Sequence, residues 1–153
     1  RLVVEDGQLT PLASLTSPSP VPDWDFPAPF GRQAMTELPF SEVILIARHL
    51  PKVRKVRTFL SSNALTDIRN AATPPPTAAD ASGRSAQRFE VQAVLTRGAE
   101  IRRASFRGQD IYAFSAAMVA EAVTRLVKPG WACSGAQPLG ALWDAGGVPP
   151  IAG

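Results

Sequence analysis

The side chains in this sequence that could do chemistry are few and far apart. His49 is the single histidine and Cys133 the single cysteine. His49 follows Arg48, and the two together could face an anionic substrate group. At a helix end the same two cations would simply oppose the negative pole of the backbone dipole. Arg32, two residues after Phe30, could take a carboxylate on its planar fork, or merely open a solvated strand. Tyr112 could offer a pocket hydroxyl, or serve as a half-buried residue at a helix entry. Arg32, Arg48, His49 and Tyr112 are therefore the candidate substrate-binding residues. No catalytic residue can be assigned.

Several chemistries lack their residues. There is no G-x-G-x-x-G turn and no Walker loop, so no segment is built to cradle a pyrophosphate, and no cofactor-binding residue is expected in these 153 residues. One histidine and one cysteine, widely separated, set up no zinc site by spacing. No G-x-S-x-G elbow is present, and Cys133 has no histidine partner in sequence. The carboxylates are scattered rather than paired.

The elements that must position these residues can be read from pattern. In RLVVEDGQLTPL, two apolar-containing runs flank Asp6-Gly7, a hairpin signal because both turn positions tolerate positive φ. Prolines at 18, 20, 22, 27 and 29 make the next stretch an extended loop, with Trp24, Phe26 and Phe30 pinned to the core or to something else. A strand is expected over Arg32–Leu38. A helix follows, with Ser41 as N-cap, Glu42 in its first turn, and Val43, Ile46, Ala47 and Leu50 on one face, stopped by Pro51. Val53–Leu60 reads as a strand, and Ser62 or Asn63 as the cap of a short helix to about Asn70.

Residues 71–88 have no apolar periodicity and are rich in Pro, Ala and Ser, so a mobile loop is expected there. Phe89, Val91, Ala93 and Leu95 alternate as a half-buried strand, and Arg97-Gly98 turns it back through Glu100–Phe106. Ser115 is the expected N-cap of a helix whose Met118, Val119, Ala122, Val123 and Leu126 form an apolar stripe, with Glu121 and Arg125 as an i, i+4 pair. Pro129-Gly130 ends it. The glycine-rich tail from Trp131 is expected to be mostly irregular, with one turn around 141–144. Hairpins with a few helices predict an α+β fold, a mixed, largely antiparallel sheet with about three helices on one face, as a single domain over 1–153.

Composition bounds the class. Hydrophobic residues make up 45% and charged residues 19%, a globular balance. The longest aliphatic run, Val43–Ala47, is far short of the ~20 residues that span a bilayer, so no membrane partner is expected. A single cysteine fits a reducing cytoplasm. The balance of Ala, Arg, Pro and Gly is compatible with a bacterial source. Arg1 without an initiator Met suggests a fragment of a longer protein. The net charge of +3 and a cluster at Arg48, Lys52, Arg54, Lys55 and Arg57 raise nucleic acid as a partner, but no aromatic residue alternates with these charges to stack a base. A solvated charged face is the expectation.

Two long stretches resemble one family. RRASFRGQDIYAFSAAMVAEAVTRLV, Arg102 to Val127, is similar to the late segment of saccharopine dehydrogenase-like oxidoreductases, where a G-x-D-x-Y stretch leads into a V-x-E-A-x-x-R-L helix. Gly108, Asp110, Tyr112, Ser115, Ala116, Glu121, Ala122, Arg125 and Leu126 fit that pattern. PFGRQAMTELPFSEVILIARHL, Pro29 to Leu50, resembles an earlier strand and helix of the same domain, and VEDGQL fits its opening. Gly135 to Asp144 looks like a diverged form of the family's closing segment. The resemblance implies the substrate-side domain of an enzyme that moves hydride between a nicotinamide and an amine, imine or enoyl-type substrate. NAD(P) would sit in a Rossmann domain that is missing here, and a homodimer is expected. The matching motifs are packing motifs and carry no catalytic residue. The alternative is a free-standing, non-enzymatic binding or dimerisation module.

Overall fold

The computed structural model describes residues 2–11, 21–130, 135 and 138–141. It is an α+β fold with three α-helices and only antiparallel ladders among the described residues. The strands form four separate two-stranded ladders, rather than one sheet with helices on one face. Where one domain is expected from length, the chain divides into two compact units, one running through Thr73 and the other starting at Pro74.

The first unit opens with a hairpin of β1 (Leu2–Glu5) and β2 (Gln8–Pro11). Asp6 and Gly7 form its two-residue turn at φ 49° and 81°, the left-handed values that a tight hairpin turn demands. β3 (Trp24–Asp25) pairs with β4 (Arg32–Gln33), and Trp24, Phe26 and Phe30 stack in series with centroids 6.4 Å apart at each step.

The strand expected over 32–38 is split at Ala34. β4 bonds to β3, whereas β5 (Met35–Glu37) bonds to β6 (Phe59–Ser61). The strand expected over 53–60 is split for the same reason. Val56 bridges Val4 of β1, and only from Phe59 does the chain pair with β5. A segment that changes partners cannot hold one continuous ladder.

α1 (Glu42–His49) starts after Ser41, whose side chain makes no capping bond to the helix backbone; its hydroxyl instead donates to the Glu42 carboxylate. Val43 on its inner face closes a core with Val4 and Val56, flanked by Ile46, Ala47 and Val53. α2 (Ser62–Arg69) is capped one residue earlier than expected, by Ser61, whose Oγ accepts the Ala64 N–H at 3.4 Å.

The second unit is a long hairpin and a helix. β7 (Arg88–Arg97) and β8 (Glu100–Gln109) pair over ten residues each, turned by Gly98 at φ 59°. α3 (Ile111–Leu126) begins five residues before the helix expected from Ser115. Asp110 outcompetes Ser115 as the cap, because its carboxylate takes two backbone N–H groups while Ser115 Oγ donates back to the Ile111 carbonyl inside the helix. Phe89 and Phe106 on one face of the hairpin meet Phe114 of α3, with centroids 4.7–5.7 Å apart.

The stretch expected to be a mobile loop has no long element, but from Ala78 to Gln87 it is tied. Ala78 bridges Ser85, Ala79 N–H donates to the Arg84 carbonyl at 2.7 Å, and Asp80 Oδ1 accepts the Ser82 N–H at 2.9 Å. The tie is made by polar groups, which leave no hydrophobic period to read. The turn expected near 141–144 falls largely outside the described residues; a single 3-10 turn, Leu139–Ala141, is seen just before it. Cys133 also lies outside the described residues.

Candidate functional site

The most connected polar group of the second unit is Asp110. It sits in the left-handed region at φ 57°, a conformation that Asp tolerates better than most side chains. That turn aims one carboxylate oxygen at α3 and the other at the loop. Oδ1 accepts the N–H groups of Tyr112 (3.1 Å) and Ala113 (3.0 Å), and Oδ2 accepts the Ser85 N–H at 2.7 Å. Its own N–H donates to the Gln87 carbonyl at 2.7 Å. Donation by Ser85 N–H, then by Ala113 N–H, holds the carboxyl below the usual range, against the opposing effect of burial.

Neighbouring side chains complete the junction. Gln109 Nε2 donates to the Ser85 carbonyl at 2.8 Å and reaches Asp80 Oδ2 at 3.4 Å. Asp80 is also held low, chiefly by the Ser82 hydroxyl and N–H. Gly108 leaves room for a ring: a Cβ there would lie 2.8 Å from Phe89 Cζ. The junction therefore locks loop, hairpin and helix together. Both carboxylate oxygens of Asp110 are committed to backbone N–H groups, so its task is positional.

In the first unit the basic segment is largely neutralised. Arg54 pairs with Asp6 at 3.0 Å, Lys55 with Glu5 at 3.1 Å, and Arg57 with Glu37 through two bonds of 2.7 and 2.9 Å. The Arg57–Glu37 pair is mostly shielded from water, and Arg57 also lies 4.8 Å from the centroid of the Phe59 ring. The Glu37 hydrogen bond pushes the guanidinium pKa further up.

The four candidate residues occupy three places. Arg48 and His49 share the exposed last turn of α1, where they face the negative pole of the helix. A Cβ at Gly140 would come within 3.8 Å of His49 Nε2, so the 3-10 turn passes this corner. Arg32 lies on β4 and is exposed, with its Nε on Asp23 at 3.1 Å. Tyr112 belongs to the other unit, in the first turn of α3, where its side chain is exposed. Arg48 and His49 are neighbours only because they are consecutive in α1, and the other two lie elsewhere. Both side chains are exposed, so neither stands in a closed site suited to proton transfer.

Spacing does not reveal the shielded Arg57–Glu37 pair, whose partners are twenty residues apart, Glu37 at the end of β5 and Arg57 just before β6. Asp110 enters the sequence pattern only as part of a motif. The signal for its role was present: an Asp directly before Ile-Tyr-Ala-Phe is a strong cap.

Two of the three helix N-termini carry a carboxylate that does not suit a dinucleotide. The N-terminus of α3, the longest helix, is filled by the Asp110 carboxylate, which would repel a pyrophosphate. α1 carries Glu42 in its first turn. Among the described residues, no three His, Cys, Asp or Glu side chains gather to hold a metal, and no helix is long and apolar enough to cross a membrane. Compared with protein-family models, curated proteins and solved structures, the chain matches none.

Proposed function

We propose that this chain is the substrate-side and oligomerisation domain of a saccharopine dehydrogenase-like, NAD(P)-dependent oxidoreductase working in the cytoplasm. The observation that supports the reading is the role of the residues on which the resemblance rests. Gly108 and Asp110 hold positions where few other residues would serve, one under the Phe89 ring and the other as a left-handed cap taking three N–H groups. A motif that demanding is less easily met by chance than a hydrophobic stripe. In this reading a separate Rossmann domain binds NAD(P) and brings the hydride chemistry. The present chain shapes the side of the cleft that receives a small-molecule substrate. The Arg48–His49 corner is the natural place for an anionic substrate group, with Arg32 and Tyr112 as further candidates.

The test is the coding sequence upstream of Arg1, together with NADPH calorimetry on the polypeptide it encodes. The reading expects a strand, a glycine-rich turn and a helix upstream, with NADPH bound by the longer polypeptide and not by these 153 residues alone. An unrelated domain upstream, or tight NADPH binding by residues 1–153, rejects it. The second reading, a free-standing binding or dimerisation module, is favoured by the exposed Val91, Leu95, Val119 and Val123 of the second unit.

A further inference from the structure

We infer that α3 docks on the α3 of a second copy of this chain, antiparallel, about a two-fold axis between Val119 and Ala120. The helix packs inward through Phe114, which meets Phe89 and Phe106. Its outward face is apolar rather than charged. Two rows at i, i+4 spacing run side by side along it. One is Tyr112, Ala116 and Ala120; the other is Val119 and Val123, continued by Val127. All six residues are exposed, the valines at 62%, 53% and 74%. The charged side chains of the helix, Glu121 and Arg125, pair with each other at 2.7 Å on its other side. The hydroxyls that flank the rows are also spent. Ser115 Oγ donates to the Ile111 carbonyl at 2.7 Å, and Thr124 Oγ1 to the Ala120 carbonyl at 2.9 Å. Covering this face therefore removes apolar groups from water at little cost in lost hydrogen bonds.

Shape and charge name the occupant. A row of valines is a ridge and the row of alanines beside it a groove, and ridges of one helix seat in the grooves of another. About the proposed axis Val119 faces Ala120 of the other copy, Val123 faces its Ala116, and Val127 faces its Tyr112. The two-fold makes each contact twice, so one face supplies both halves of the fit, as an isologous contact requires. Charge selects the direction. Antiparallel docking sets Lys128 level with the N-terminus of the other α3, beside its Asp110 cap, and opposes the two helix dipoles. Parallel docking would set Lys128 against Lys128. Area sets the strength. Sixteen residues of helix run about 24 Å, and one helix pair buries on the order of several hundred Å² per copy, short of the roughly 800 Å² of a standard interface. The dimer is accordingly a weak one, half dissociated at on the order of 10–100 μM.

The inference deepens the oligomerising role in both readings of function but rests on the helix face, not on the resemblance. Its test uses no cofactor, so its failure is separate from failure of the NADPH test. Sedimentation equilibrium of the 153-residue chain carrying Cys133→Ser should show monomer and dimer in exchange below about 1 mM. Val123→Glu, which charges the ridge, and Ala116→Leu, which fills the groove, should each weaken the dimer by at least about tenfold with an unchanged circular dichroism spectrum. Val91→Glu, at a similarly exposed valine of β7, should leave it unchanged. Nitroxides attached through Lys128→Cys in the same Cys133→Ser chain read the direction by electron spin resonance. An antiparallel pair about this axis places them about 25 Å apart, whereas a parallel pair brings them to about one interhelix distance, roughly 10 Å. A monomer at every concentration up to about 1 mM, which would leave this face to a different partner, overturns the proposal. So does a dimer that Val91→Glu weakens and Val123→Glu does not, or a pair of labels at the shorter distance.

Discussion

Among the described residues, the buried ones in the unit that runs through Thr73 are Val3, Val4, Val43 and Val56; in the hairpin and helix unit they are Ser85 and Asp110. The first unit closes an apolar core because short segments change partners. β1 takes Val56, β5 takes Phe59–Ser61, and α1 lays Val43 over the junction. The second unit spends its chain on two ten-residue strands and a sixteen-residue helix. Such extended elements meet only near their shared base, where three phenylalanines and a polar knot hold them. Val91, Leu95, Ile101, Val119 and Val123 stay exposed. Both units leave apolar side chains exposed, Leu9, Leu50 and Ile68 among them in the first, but only the first closes a buried apolar core among the described residues.

That contrast can be broken first at the rings. Phe114→Ala removes the side chain that bridges α3 to both strands, and should cost about 3 kcal/mol in the second unit, scaled down from a fully buried site. Urea unfolding followed through the amides of β7 and β8 would read it, with the first unit unmoved. Val43→Ala is the matching cut in the other core. Losing two methyl groups and leaving a void should cost about 2 kcal/mol there, with hydrogen exchange accelerated at residues 43–60 and not at 88–126.

Arg57→Ala should come next, at roughly 1–2 kcal/mol, because it leaves the shielded Glu37 carboxylate without its two-bonded partner. Thermal denaturation would measure it, and Glu37→Gln combined with Arg57→Ala should recover part of the loss. The smallest effect should come from Arg54→Ala. Its pair with Asp6 is exposed on both sides, so the loss of unfolding free energy should stay within about 0.5 kcal/mol and vanish in high salt.

Legibility followed local chemistry. The Asp6-Gly7 and Gly98 turns, the α1 helix with its basic end and the i, i+4 pair of Glu121 and Arg125, seen at 2.7 Å, all depend on residues near one another in sequence. The covered face of β7 did not follow its pattern: past Phe89, the residues Val91, Ala93 and Leu95 are exposed and Glu90, Gln92 and Val94 are partly covered. What escaped the sequence was decided at a distance. Nothing in Arg32–Leu38 announces that β4 and β5 will bond to different strands. The tie from Ala78 to Gln87 is made by Asp80, Ser85 and the distant Asp110, so composition alone suggested a free loop. Of the candidate site, the placement of Arg48 and His49 in the last turn of α1 was legible because Pro51 stops the helix just beyond them. The separation of Arg32 and Tyr112 into different units was not, since spacing along a chain says little about tertiary neighbours.

Acid should act on the second unit through the same knot. The carboxyls of Asp110 and Asp80 are held below their unfolded values, so their contribution is complete above the ordinary carboxylate range near pH ~4. It is lost as pH falls through the depressed folded values. The most direct measurement is amide hydrogen exchange on Asp110→Ala beside the unmodified chain, with Asp110→Asn titrated from neutral to acid pH. Faster exchange at Ser85, Tyr112 and Ala113 and through 78–87, with Val4, Val43 and Val56 unchanged, is the expected result, together with a flattened acid response in Asp110→Asn. Unchanged protection at those three amides would contradict the claim that one left-handed aspartate ties loop, hairpin and helix together.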